Sequence, residues 1–204
     1  MNKVGLLCVK NDPLLSLLTS NLIKLTNIDF YFIFENDLFS HFDLEIILSR
    51  LSEKILKKFG IRLSPGTKYY LKNFKTITSN HNSNETINFI KTNKLDLLIN
   101  IGTTKKFSQG LINSTLNGIL NVHPGNLPYF RGSCAVEWAI YKKEKIFLTA
   151  HLIDSSYDAG PILKKHFLSA SIEDNYEDIR TKVYIQSADL FCSTIEDFLN
   201  KELL

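Results

Sequence analysis

Asn121 and His123 stand two residues apart in Gly118–His123, a stretch with the composition of a strand, and Pro124-Gly125 follows. Alternate residues of a strand share a face, so an amide and an imidazole project together. Pro124 keeps His123 extended rather than helical, and Gly125 and Gly132 permit a tight loop. Asp158 lies in a second segment, HLIDSSYDAGPIL at 151–163, which leaves a strand, turns through Ser155–Gly160 and returns. Gly160 beside it lets the backbone bring a carboxylate close to another group. An amide, an imidazole and a carboxylate suit acyl transfer to an amine. The attacked carbonyl oxygen becomes negative, and amide and imidazole N–H groups can donate to it. A carboxylate can hold the imidazole in its donor form and relay protons, directly or through water. None of the three is a strong nucleophile in this setting, which favours direct transfer over a covalent intermediate.

The elements that must position these residues alternate between strand and helix patterns. Val4–Val9 reads as a buried first strand. Pro13–Leu25 has leucines at helical spacing, with Asp12 as N-cap and Pro13 at the first helical position. Phe30–Phe34 and Phe74–Thr78 read as strands, Leu44–Phe59 as a helix ending at Gly60, and Ser64-Pro65-Gly66 as a turn. Ser83 caps a helix running to Lys94. The stretch Leu95–Ile101, LDLLINI, is almost continuously apolar, as a strand covered on both faces should be. After it come a short helix at Gln109–Ser114, the strand Gly118–His123, a helix at Cys134–Lys142, and strands at Phe147–Ile153 and Pro161–Leu168. A long amphipathic helix, Tyr176–Leu199, closes the pattern. The alternation predicts an α/β fold over residues 1–204 as one domain: an open, largely parallel twisted sheet with helices on both faces.

Composition narrows the class. Of 204 residues, 44% are hydrophobic and 22% charged, enough to bury a core without disulfides or metals. A net charge of +3 with no dense Lys/Arg tract gives no strong nucleic-acid signal. The three cysteines, Cys8, Cys134 and Cys192, are widely separated and form no CxxC pair, so the expectation is reduced thiols in a cytoplasmic protein with no structural zinc. The apolar N-terminus is too short for a membrane span. Neither GxGxxG nor GxxxxGK[ST] occurs, which removes support for dinucleotide and P-loop readings.

The site segments together resemble the 10-formyltetrahydrofolate-dependent formyltransferases, a family with a Rossmann-like catalytic domain. The pattern there is Asn-x-His-Pro-(Gly/Ser), Leu-Pro, Arg-Gly and a later Asp-x-Gly. Here these are Asn121-Val122-His123-Pro124-Gly125, Leu127-Pro128, Arg131-Gly132 and Asp158-Ala159-Gly160. The match runs from about Leu95 to Leu163. It implies that 10-formyltetrahydrofolate is the formyl donor, that Asn121 and His123 polarise the formyl group, and that Asp158 manages protons. It also implies a cis Leu127–Pro128 peptide. The pterin site it implies falls on Thr104, Lys105, Lys106 and Phe107 and on Ile153 through Asp158, with Asp154 and Tyr157 among them.

The acceptor is reached by elimination. Lys10-Asn11-Asp12-Pro13 lacks the Gly-Asn-Gly-Ser-type phosphate grip of glycinamide ribonucleotide formyltransferases, and Gln186-Ser187-Ala188 replaces their usual Gln-Glu-His. The chain ends at Leu204, which on this reading leaves no room for the separate domain of methionyl-tRNA formyltransferases. On the same reading the extra N-terminal domain of the deformylase is expected to be absent. The expected partner is therefore a small-molecule amine, most plausibly an amino sugar on a nucleotide, held by Lys10, Pro124, Gly125, Tyr129 and Arg131. The alternatives are a purine-pathway acceptor, methionyl-tRNA, plain deformylation, or folate binding without turnover. No membrane contact is expected, and a homodimer is left open. Arg131 either holds its loop or faces an anionic acceptor. His151 reads as a supporting core histidine, His41, His81 and His166 as surface residues, Trp138 as core, and the 142–145 run KKEK as a solvated helix end.

Overall fold

The computed structural model describes residues 2–9, 12–22, 25, 28–36, 72–103, 105–171 and 173–200. The expected helix at 44–59, the turn at 64–66 and His41 lie outside these residues. The chain divides into two compact units, Met1–Ile119 and Leu120–Leu204.

In the first unit β1 (Asn2–Cys8), β2 (Ile28–Phe34), β3 (Lys75–Thr78) and β4 (Leu97–Ile101) are all parallel, in the order β3-β2-β1-β4. This is the largely parallel α/β arrangement the alternation predicts. β1 and β4 are buried on both faces, which explains why their apolar runs do not alternate with polar residues. Parallel strands need crossovers. Here α1 (Pro13–Leu22) follows β1 and α2 (Asn84–Asn93) follows β3. The Asp12 carboxylate caps α1 by accepting from Leu14 N at 2.8 Å, and Ser83 caps α2 by accepting from Thr86 N at 3.1 Å. Each such cap contributes about 1 kcal/mol. A short helix, α3 (Gln109–Ile112), is capped in the same way by Ser108.

In the second unit β5 (Ile119–His123), β6 (Phe147–Leu152) and β7 (Ile162–Phe167) are antiparallel, in the order β5-β6-β7. Between β5 and β6 lies α4 (Ala135–Tyr141), and α5 (Tyr176–Leu199) packs on β6 and β7. An Asn175–Asp178 capping box starts α5. Lys164 on β7 reaches Asp197 on α5 at 2.7 Å, but both ends are partly exposed. A pair of that kind contributes about 0–1 kcal/mol. Burial of Leu190, Phe191, Ile195 and Phe198 outweighs it, at roughly 1.5–3 kcal/mol for each fully buried large side chain. Among the described residues no helix is long and apolar enough to cross a membrane.

Two expectations about exposure fail. Trp138 is 53% exposed rather than core, because α4 buries Ala135, Val136 and Ala139 and turns Trp138 outward. His81 is 1% exposed rather than on the surface. Residues distant in sequence enclose it. His81 Nε2 donates to Ile33 O at 2.9 Å, and the Thr103 hydroxyl lies 3.2 Å from Nδ1. A Glu35 carboxylate oxygen stands 3.5 Å from Nδ1. Burial lowers the His81 pKa, and its effect exceeds the opposing pull of the Ile33 carbonyl and Glu35. The ring is therefore neutral, accepting the Thr103 proton at Nδ1. His166 is on the surface as expected, bonded to Gln186 at 2.9 Å.

Two measurements follow from this packing. A histidine buried neutral stabilises the fold fully above its unfolded pKa of 6.5. That contribution is lost as pH falls below this value through the lowered folded one. Thermal unfolding across this range should show Tm falling with acidification, and His81→Gln should flatten the dependence. A slope of the same sign from His151, also lowered, remains. Separately, the buried Thr149 hydroxyl of β6 donates to Gly125 O at 2.6 Å and accepts from Leu127 N at 3.3 Å. Denaturant unfolding of Thr149→Val should report a loss of about 1–3 kcal/mol, since a buried carbonyl loses its donor.

Candidate functional site

The register of β5 on β6 builds the site. Asn121 pairs with His151 and His123 with Thr149, so four side chains share one face of the antiparallel pair. The Asn121 amide donates from Nδ2 to His151 Nε2 at 3.1 Å. His151 can accept there because its other nitrogen, Nδ1, lies 3.1 Å from Leu152 O. A carbonyl only accepts, so Nδ1 carries the hydrogen and Nε2 the lone pair. Burial lowers the pKa of His151, against the opposing influence of the Asp158 charge, and keeps the ring neutral. One amide hydrogen of Asn121 is thus committed to His151, which fixes the plane in which the other lies.

His123 adopts the complementary tautomer. Its Nε2 is 2.8 Å from the carbonyl of Phe130, so Nε2 carries a hydrogen and Nδ1 faces Asp158 Oδ2 at 3.5 Å. Gly125 makes this possible, since a Cβ there would stand 2.5 Å from both His123 Nε2 and Phe130 O. The ring is 5% exposed.

Asp158 arrives from the loop after β6. It has φ 47°, a left-handed conformation that an aspartate adopts at about 1 kcal/mol or more. The loop is drawn tight at Gly160, where a Cβ would fall 1.9 Å from Leu152 O. Gly132 N donates to Asp158 Oδ2 at 2.9 Å, and the other carboxylate oxygen stands 3.7 Å from His151 Nε2. One carboxylate therefore faces both histidines. The expected trio of Asn121, His123 and Asp158 is brought together inside the second unit, and His151 supports Asn121. Sequence reasoning missed the Phe130 carbonyl, the Gly132 N–H and Thr149, since backbone atoms and a threonine opposite a histidine leave no motif.

The remaining candidates fall into separate groups. In the first unit, Asn82 clamps the loop after β4 from both sides: Nδ2 donates to Lys106 O at 3.0 Å, and Oδ1 accepts from Ser108 N at 2.7 Å. Phe107 is buried, with its ring centroid 6.4 Å from that of His81, while Lys106 is exposed and Lys105 half-buried. In the second unit Ile153 and Asp154 are half-buried and Tyr157 is exposed. Asp154 closes a local turn by accepting from Ser156 N at 2.9 Å. Pro124 is half-buried, Gly125 is buried, and Tyr129 and Arg131 are exposed on the loop after β5. Leu127–Pro128 in that loop is cis, as the resemblance implies. Lys10 and Thr104 lie outside the described residues. Among the described residues no cluster of His, Cys, Asp and Glu is arranged to hold a metal.

Comparison with known proteins agrees with this geometry. A methionyl-tRNA formyltransferase from Thermodesulfovibrio yellowstonii is 33% identical over 113 residues, covering 53% of this chain and 37% of that protein. One from Nostoc sp. is 28% identical over 120 residues, covering 58% and 35%. The chain thus spans little more than a third of the length of these curated relatives. Among solved structures, a phosphoribosylglycinamide formyltransferase from Bacillus halodurans superimposes with TM-score 0.69 at 19% identity, covering 98% of this chain and 97% of that one. A sugar N-formyltransferase from Shewanella sp. superimposes with TM-score 0.67 at 20% identity, covering 100% and 72%. Likeness at that identity concerns the fold, an open and largely parallel Rossmann-like α/β sheet. The family model described as Formyl transferase matches residues 58–195, well over half of the chain and spanning all three members of the trio, and the chain belongs to that formyl transferase family.

Proposed function

We propose that this chain transfers a formyl group from 10-formyltetrahydrofolate to the amine of a sugar attached to a nucleotide. The observation that carries the chemistry is the Asp158 carboxylate 3.5 Å from His123 Nδ1, with the opposite ring nitrogen already held by Phe130 O. Since Nε2–H is held by Phe130 O, His123 takes a further proton at Nδ1 during the reaction, beside the Asp158 carboxylate, and that Nδ1–H is its donor to the developing oxyanion. The acceptor nitrogen forms a bond to the formyl carbon while the carbonyl π electrons move to oxygen. That oxygen receives hydrogen bonds from the Asn121 amide and His123. The attacking nitrogen gives its proton to Asp158, directly or through water. The carbon–nitrogen bond to the donor then breaks as the donor's nitrogen takes up a proton. Within the second unit the donor's pterin is assigned to Ile153, Asp154 and Tyr157.

The acceptor assignment has its own support. The Asp12 carboxylate sits at the head of α1, bonded to Leu14 N, and Pro13 offers no N–H. An anion placed there meets a negative charge and a missing donor. This weighs against the phosphate of glycinamide ribonucleotide. Exposed Tyr129 and Arg131 offer a ring face and a guanidinium to a nucleotide instead. A second reading, the amine of methionyl-tRNA, is favoured by the curated relatives.

Turnover measurements test both parts. Asp158→Asn and Asn121→Ala should each lower kcat by on the order of 10²–10³, with folate binding retained in the Asn121 variant. Near-normal turnover by folded Asp158→Asn removes the mechanism. At equal folate concentration, a nucleotide-linked amino sugar should be formylated in preference to glycinamide ribonucleotide and methionyl-tRNA. Preference for either of the latter replaces the acceptor and leaves the trio in place. Release of folate product with no amine present points to deformylation.

A further inference from the structure

The outward face of α4 is the least expected surface on the protein. The helix spends three residues on the core, Ala135, Val136 and Ala139. Glu137 turns toward α5, where its carboxylate accepts from the Tyr176 hydroxyl at 2.5 Å and stands 3.8 Å from Arg180. Trp138, Tyr141 and Lys142 are left at i, i+3 and i+4, one stripe along the solvent side. Trp138 is 53% exposed and Tyr141 77%. The two rings meet edge to face with centroids 5.8 Å apart. Lys142 Nζ lies 6.0 Å from the Trp138 ring centroid and 5.6 Å from that of Phe130.

Single exposed aromatics are ordinary on a protein surface. This set differs in being contiguous, and in being joined to the catalytic centre through one residue. Phe130 gives its carbonyl to His123 Nε2 at 2.8 Å and its ring to Lys142. Tyr129 precedes it, 79% exposed. The local charge is positive: Arg131, Lys142, Lys143 and Lys145 are exposed against Glu144, while Glu137 is engaged by α5. Exposed aromatic rings edged with cations match a ligand with a flat ring and negative charge, the ring stacking on one aromatic face.

We infer that the Trp138–Tyr141–Lys142 face of α4, continued by Tyr129 and Phe130, is the docking surface for the base and diphosphate of the acceptor. This rests on the nucleotide-linked acceptor proposed above. The base stacks on Trp138 or Tyr141, the phosphates meet Lys142 and its basic neighbours, and the amine extends past Phe130 to His123. Acceptor choice is then exercised by side chains that take no part in the chemistry.

Trp138 is the chain's one tryptophan, so its fluorescence reports on this face alone. Titration of the full chain with uridine diphosphate or thymidine diphosphate should give saturable quenching, while pyrophosphate gives none. Lys142→Ala should weaken the quenching. Trp138→Ala and Tyr141→Ala should raise KM for the nucleotide-linked amine about tenfold or more, the scale of one lost base stack. Trp138→Phe, which keeps a ring, should restore KM. Circular dichroism checks that each variant folds. Unquenched fluorescence at nucleotide concentrations that saturate turnover, or unchanged KM in Trp138→Ala, overturns the inference and leaves the acceptor reading standing. Quenching by either diphosphate with no formylation of a nucleotide-linked amine supports the surface and removes that reading. Quenching by methionyl-tRNA but by neither diphosphate overturns the inference in favour of an RNA-binding face. Emission that changes with protein concentration and ignores nucleotide overturns it in favour of contact between copies.

Discussion

The register of β5 against β6 is the constraint on which the site depends. Because Asn121 lies opposite His151 and His123 opposite Thr149, the amide finds an acceptor and the loop after His123 finds a hydroxyl. A slip of one residue would turn the two polar side chains of the shifted strand to the other face of the pair, away from their partners on the strand that stays. There they would meet the apolar layer that includes Val122, Leu148 and Ala150. Burying unpartnered polar groups makes that slip costly. The hydrophobic pattern of these two short strands therefore specifies the chemistry as firmly as it specifies the core.

Two backbone carbonyls then divide the histidines. Leu152 O holds a hydrogen on Nδ1 of His151, and Phe130 O holds one on Nε2 of His123. The rings are left in opposite tautomers, one presenting an acceptor to Asn121 and the other presenting Nδ1 to Asp158. A carbonyl only accepts, so each one fixes which nitrogen of the neutral ring carries the hydrogen. In the proposed reaction Asp158 is left for the proton traffic, and its left-handed backbone and the Gly132 N–H keep it within reach of both rings. That hydrogen bond offsets part of the small backbone strain at Asp158.

Much of this was legible in the sequence, and the parts that were not share a cause. Period and capping residues place β4, α2 and α5 within about two residues, because Ser83, the amphipathic period over 176–199 and the continuous run at 95–101 are local signals. The trio was legible because Asn-x-His on a strand and Asp-x-Gly in a loop are local patterns too. Trp138 and His81 were misplaced because their burial depends on which elements pack against them. Trp138 has the size of a core residue but sits on a solvent-facing stripe of α4, 53% exposed. His81 has a surface-like flank, Asn80 and Asn82, yet Ile33 and Thr103 from distant positions close over it. The role of the Phe130 carbonyl was illegible for the same reason, since every residue has a carbonyl and only the fold selects one.

The same division separates what the family shares from what this chain decides for itself. In the proposed mechanism the groups that act on the formyl carbon are short side chains held by backbone atoms, and such atoms tolerate wide drift in sequence. That is consistent with the fold persisting at 19–20% identity in the structural neighbours. Acceptor selection has no such anchor. At the head of α1 an aspartate closes the place where an anion could bind, and on α4 the chain leaves its one tryptophan half in water. Each feature works against a simpler use of its helix, as an anion site in the first case and as core packing in the second. Exposing an indole forfeits burial worth a few kcal/mol. A stable surface patch that forgoes this much burial beside a catalytic loop is better explained by a ligand that covers it than by the needs of the fold.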